Sequence, residues 1–406
     1  MKIIRLFSLL FFFATCFSLQ AQIGFGTIVY VDSSASGANN GTSWTDAYTD
    51  LQTALDSTGL MDTIWVTSHT YSPSVPITNS TDPRSKTFYV NGQVSLYGGF
   101  AGTETALDQR GPGSYTFLSG DLGVQNDSSD NAYHVVTMLS NSGTFDGFAV
   151  AFGNANGTSS DTIATTHILP NNMGGGILMD SSNAKISNCF IFANRSSAGG
   201  AGVLSRGGSP QFTGSLFSAN ITYGNNTNAG GGGGILNIDN AATFKTVNFA
   251  GNGTVNTQGG GGMRNENSNV QLDSTDFDMN FATNGDGGGA MYNLNSTPKL
   301  TTVVFDTNYT DMEAGAMYND GSPVVLTDVL FIRNAGGPNG GGAIENDGGS
   351  DIVIENGIFM FNTSQGDGGA IQNWKSSPKF TNVAFVGNQA DGDGGAIVNY
   401  TNCDPV

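Results

Sequence analysis

Four carboxylates, Asp286, Glu313, Asp367 and Asp393, each stand directly before a run of small residues dominated by glycine. Brought together in pairs, such acids and the carbonyls of the turns would make a hard oxygen set of the kind calcium takes. Two like charges about 5 Å apart in water repel by only about 1 kcal/mol, so solvated turns need no ion to hold them. The solvated reading is therefore preferred, and no cofactor is required. A second line is Arg264, Tyr292, Tyr318, Glu345 and Gln372, each placed between an apolar residue and an asparagine. On the outer face of a sheet, stacked tyrosines beside ionic groups offer a surface to sugars or proteins. Ordinary exposed sheet residues would read the same way. If the column binds, Tyr292→Ala with Tyr318→Ala should weaken surface binding without lowering stability.

Hydrolytic chemistry finds less support. The aspartate trio, Gly-His-Gly and Arg-x-Lys strings of polygalacturonases are absent from the sequence, and the three histidines are His69, His134 and His167. A polysaccharide lyase acting on an acidic glycan would need a basic residue beside a calcium-holding acid cluster, whereas Arg195, Arg206, Arg264 and Arg333 fall at different repeat positions. Outside the leader the cysteines are Cys189 and Cys403, far apart in sequence, so no disulfide framework stabilises the chain. Cys189 stands where Val or Thr stands in other repeats and reads as a small buried hydrophobe. With 33 acidic against 14 basic residues, nucleic acid is excluded as a partner.

The start of the chain carries an address. Lys2 and Arg5 precede an uncharged apolar run from Leu6 to Phe17, with a cleavage position after Ala21, so residues 1–21 read as an export signal. No second apolar run long enough to span a membrane follows. The expected location is extracellular or the bacterial outer surface.

What would position these residues is a repeat. From Gly174 a unit recurs every 26 to 28 residues, with one spacing of 32. One column of apolar residues runs Ile177, Val203, Ile235, Met263, Met291, Met317, Ile344, Ile371, Ile397, and two positions later stand Asn237, Asn265, Asn293, Asn319, Asn346, Asn373 and Asn399. A second apolar column runs from Ile186 through Phe212 and Phe244 to Phe380. A third, aromatic in all but the first unit, runs Ile191, Phe217, Phe249, Phe277, Phe305, Phe331, Phe359, Phe385. An asparagine follows each of these by three residues, from Asn194 to Asn388.

Apolar residues inside each unit alternate at period two, in runs too short for helices and punctuated by Gly, Asn, Ser or Pro. One unit cannot bury its own apolar column, so units must stack strand on strand about 4.8 Å apart. Stacked asparagines then form an amide ladder, with the left-handed backbone that Asn tolerates making the corner. The fold expected is all-β, a right-handed single-stranded parallel β-helix with an N-terminal capping helix. Trp44, Ala47, Tyr48, Leu51, Ala54 and Leu55 supply the apolar stripe of that helix, with Ser43 or Thr45 as N-cap and Gly59 as stop. The domains are then a cap over 22–84, irregular first coils over 85–173 and regular repeats over 174–406. Chain termination at Asp404-Pro-Val406, where another unit's proline column would fall, reads as a truncated frame.

The tetrads Gly-Gly-Ala-Ile (368–371, 394–397) and Phe-x-x-Asn (305–308, 385–388) resemble the repeat motifs of the chlamydial polymorphic outer-membrane proteins. The front half, with Gly41-Thr-Ser-Trp44, Asp62-Thr-Ile-Trp-Val66 and Tyr97-Gly-Gly-Phe100, is similar to related β-helix proteins of environmental bacteria. The resemblance implies secretion, surface display and adhesion, with an extracellular glycan or a surface protein as partner. A purely structural surface element and a glycan-degrading enzyme are the alternatives.

Overall fold

The computed structural model describes residues 26–59, 61–77, 80–163, 167–224 and 230–406. The expected export signal, residues 1–21, lies outside them. The chain winds as a right-handed solenoid of about 12 turns. Three parallel sheets, of 19, 11 and 9 strands, run along it; the first windings supply the 19- and 11-stranded sheets, and from the winding of Asn154–Ala155 onward each turn contributes to all three.

A single winding shows how the sequence closes it. Met291–Leu294 lies in the 11-stranded sheet, and Asn295 turns the corner at φ 49°. Lys299–Asp306 follows in the 19-stranded sheet, bent where Thr302 sits at φ 54°. Thr307, at φ 56°, makes the next corner, and Tyr309–Thr310 enters the 9-stranded sheet. A glycine-rich turn then leads to the next winding. Each left-handed corner residue other than glycine costs on the order of 1 kcal/mol, a strain that recurs only because stacking repays it.

Stacking follows the columns read from the sequence. Ile177, Val203, Ile235, Met263 and Met291 are register partners in successive strands, and so are Phe277, Phe305, Phe331 and Phe359. The phenylalanine rings from 277 to 359 lie parallel within 7°, with centroids 4.6 to 4.9 Å apart. All four are fully buried. Cys189 is buried as well, and both described cysteines are free; burial pushes the Cys189 thiol up to about 12, far from reactive.

The asparagine ladder is fully satisfied. Asn308 Nδ2 donates to Phe277 O at 3.0 Å and to Asn334 Oδ1 at 2.9 Å, while Asn308 Oδ1 accepts the Asn280 backbone N–H at 2.9 Å and its Nδ2 at 3.0 Å. The corner beside it differs from expectation, because the left-handed residue is the one before the asparagine: Ala219, Met279, Thr307, Arg333 or Phe361. An amide bound to the windings on both sides must point inward, and the turn falls to its neighbour. A second ladder joins Asn265, Asn293, Asn319 and Asn346 by Nδ2-to-Oδ1 bonds of 2.8 to 2.9 Å.

The capping helix, α1, is shorter than the apolar stripe implied. It spans Leu51–Ser57, and its N-cap is Asp50, whose carboxylate accepts the Thr53 N–H at 2.7 Å. Residues before it are held otherwise: Tyr48 bridges Val31, and the Asp46 carboxylate accepts the Ala38 N–H at 2.8 Å. Trp44 leaves the stripe altogether and joins Tyr30, Trp65 and Phe100 in an aromatic cluster on the outside of the winding. Leu51, Ala54 and Leu55 do seat against the first core residues.

Candidate functional site

The column Arg264, Tyr292, Tyr318, Glu345 and Gln372 does lie on the outer face of the 11-stranded sheet, in register from winding to winding. It is not a surface, however. Arg264 is 1% exposed, Tyr292 4% and Glu345 7%, with Gln372 buried and Tyr318 half-buried. The glycine turns fold back as a roof: a Cβ on Gly287 would stand 3.0 Å from Tyr292 Cδ1, and one on Gly340 only 2.3 Å from Glu345 Oε2. The same column begins with Leu178, Leu204 and Leu236, which form a small second core there. Outward from the sheet therefore means buried under the turns, and the expected stability-neutral double tyrosine variant is corrected accordingly.

Under this roof the polar groups are only partly paired, with Arg264 Nη1 and Glu345 Oε2 left without partners. Arg264 bonds Glu266 Oε1 and Gln258 Oε1, each at 2.6 Å, and lies 4.3 Å over the Tyr292 ring. Glu345 Oε2 has no partner, and its acid is raised well above the usual range by burial first, then by Glu313 and Asp347. Burial likewise pushes Glu313 up to about 7, against the Gly287 N–H that its Oε2 accepts. The acid line is paired as the sequence implied, with Asp286 beside Glu313 and the Asp393 N–H donating to Asp367 Oδ1. Among the described residues no three acid, histidine or cysteine side chains gather closely enough to hold a metal.

The histidines give no catalytic relay. His69 Nδ1 contacts both Ser33 Oγ at 3.0 Å and Asp32 Oδ1 at 3.3 Å. A base that relays a proton needs one ring nitrogen for the hydroxyl and the other for the acid. His167 Nδ1 and Arg206 both meet Asp180 Oδ2, and despite burial these partners hold the Asp180 carboxyl below its ordinary value. His134 is buried with Nδ1 on Gly174 O at 2.9 Å, so Nδ1 carries the proton.

An open site lies instead where the irregular windings meet the first regular ones. Asn154–Ala155, Arg195–Ser196 and Ile221–Tyr223 are adjacent strands of the 9-stranded sheet. Over them rise two walls: the loop through Asp121 and Asn131, and residues Asn156, Gly157, Thr158 and Asn172. The walls enclose a polar cavity of about 730 Å³ and, beside it, one of about 250 Å³ lined in part by Phe152 and Ile221. Both are bounded by Ser128, Asn154 and Arg195, so they are lobes of one groove.

This groove is held by the chain's own hydrogen bonds. Arg84, stacked 4.2 Å over Tyr133, reaches Asn131 O, Asn154 O and Asn156 Oδ1 at 2.7 Å each. Asn154 Nδ2 holds Ser128 O, and Asn131 Nδ2 holds Phe152 O, also at 2.7 Å. On the floor, Arg195 is exposed and its guanidinium lies 5.8 Å from the Tyr223 ring, itself 43% exposed. None of these positions stood out in the repeat. The signal was coil length: 41 residues separate the register partners Val136 and Ile177, against 26 to 28 for most later windings, and extra residues in a solenoid become loops on one face.

No protein-family model matches the chain, and no curated protein matches it by sequence. Membership of the polymorphic outer-membrane protein family thus stays a resemblance. Among solved structures, a polygalacturonase from Erwinia carotovora ssp. carotovora is similar at 14% identity and a TM-score of 0.37, over 94% of this chain and 96% of that one. PfbA, a surface adhesin of Streptococcus pneumoniae, is similar at 13% identity and 0.31, over 84% and 85% of the two chains. A Yersinia enterocolitica family 28 exopolygalacturonase follows at 11% and 0.26, over 94% and 79%. Likenesses this distant carry no chemistry, and the β-helix rests on the register of its own strands. No helix among the described residues is long and apolar enough to cross a membrane.

Proposed function

We propose that this chain is an exported β-helix scaffold that holds an extracellular glycan, or a glycan-bearing surface protein, at the cell exterior. The observation that carries the reading is the groove over Arg195 and Tyr223, whose walls are fixed by the chain's own hydrogen bonds. A site of this kind loses little entropy on binding, and side-chain amides and hydroxyls along an aromatic platform match a sugar's hydroxyls and apolar ring face. Export rests on the sequence of residues 1–21. Calcium is not needed by this reading, and nucleic acid is disfavoured by the net charge of −19.

A glycan array read alongside a polysaccharide-turnover assay on the purified chain separates the alternatives. Retention without product, lost in Tyr223→Ala, is the expected outcome. Product formation would replace the reading with an enzyme, and neither retention nor product would leave a structural element.

A further inference from the structure

We infer that the groove selects an acidic sugar, with Arg195 pairing a single carboxylate or sulfate and Tyr223 carrying the ring. This rests on the binding reading above. Among the described arginines, Arg195 alone has a guanidinium with no hydrogen-bond or ion-pair partner. Arg84 holds three oxygens, Arg110 pairs with Asp146, Arg206 with Asp180, Arg264 with Glu266 and Arg333 with Asp306. In a chain with 33 acidic residues a free guanidinium is not a matter of scarce partners. Its planar fork of donors fits a carboxylate or sulfate two bonds at a time, and it stands at the junction of the groove's two lobes.

Net charge narrows the ligand further. A uniformly charged polymer would meet repulsion from the rest of a chain carrying −19, whereas one anionic group among neutral sugars meets Arg195 at contact, inside the screening length of about 8 Å at physiological salt. The ligand class is thus an oligosaccharide that places one acidic residue among neutral ones at Arg195, as a chain of alternating acidic and neutral sugars does. An acidic peptide would satisfy the guanidinium, but a run of Glu and Gly has no apolar ring face to lie on Tyr223.

The test is calorimetry on the full chain with a hyaluronan hexasaccharide, in which uronate alternates with a neutral sugar, with its carboxyl-reduced form, and with a hexapeptide of alternating Glu and Gly. Expected is at least a tenfold preference for the acidic sugar over the reduced one. Arg195→Ala should erase the preference while leaving weak binding of both, and Arg195→Lys should restore part of it. Equal binding of the two sugars, abolished by Tyr223→Ala, would overturn acid selection and leave the groove reading standing. Sugar binding indifferent to both residues would overturn the groove reading and with it the acid selection. Arg195-dependent binding of the peptide alone would reassign the partner. Arg195 is exposed, and circular dichroism of each variant confirms that the fold persists.

Discussion

Windings before Gly174 and windings after it stack into the same continuous sheets and obey different rules. After Gly174 each layer repeats its neighbour: Asn308 bonds both adjacent windings and Phe305 stacks on Phe277 and Phe331. Even the outer column of that half is roofed by glycine turns and buried. Before Gly174 and just past it, layers differ, loops rise from one face, and a groove opens over Arg195. Repetition makes a fold stable and closed, and departure from repetition makes a place for a ligand.

The largest effect that would sharpen this contrast is in the ladder. Asn308→Ala orphans the Asn280 N–H and one Asn280 amide hydrogen and removes a bond to Phe277 O, all buried. At about 1–3 kcal/mol for each unsatisfied group, the loss should be about 5 kcal/mol in urea unfolding. Phe305→Ala, which empties a fully buried ring site between two stacked neighbours, should cost about 4 kcal/mol. Tyr292→Ala should cost about 2–3 kcal/mol, since the ring is 4% exposed and carries Arg264. A neutral result there would mean that the glycine roof is not closed in solution.

A smaller effect separates the two regions by pH. Glu313 is raised from 4.5 to about 7 and Glu345 well above 4.5, chiefly by burial. Raised folded-state values give stability that is complete below about pH 4.5 and is lost as the pH climbs through 7. His134 has the opposite sign, because burial lowers it from 6.5; its contribution is complete above that value and is lost as the pH falls. Local opening should therefore favour the rear windings at pH 8 and the front windings at pH 5. Glu345→Gln should flatten the alkaline limb in hydrogen exchange of residues 313–345, and His134→Gln the acid limb near Gly174. The smallest stability effect belongs to the groove: Arg195→Ala and Tyr223→Ala should each shift stability by less than about 0.5 kcal/mol, as exposed positions do.

Much of the fold was legible because ladders write themselves into the sequence as columns. Phe277, Phe305 and Phe331, or Asn280, Asn308 and Asn334, fall into line from their spacing alone. Caps are less legible, since Asp50 outcompetes Ser43 and Thr45 only because Asp46 and Tyr48 are engaged elsewhere. The outer column misled because the side of a sheet says nothing of what folds over it. Leu178, Leu204 and Leu236 in the same column were the available warning, as no solvent face repeats leucine three times. The groove was illegible residue by residue, because Arg195 and Tyr223 belong to a site only through walls supplied by the loop 121–131 and by residues 156–158 and Asn172.

The central claim is that ligand meets the groove where the irregular windings join the first regular ones, and not the roofed column of the later windings. Amide hydrogen exchange of the full chain, with and without the tightest-binding sugar of the array, reads this directly. Protection confined to 121–131, 154–158, 195–198 and 221–223 is the predicted result. Protection centred on the roofed column from Arg264 to Gln372, with the groove unchanged, would contradict it.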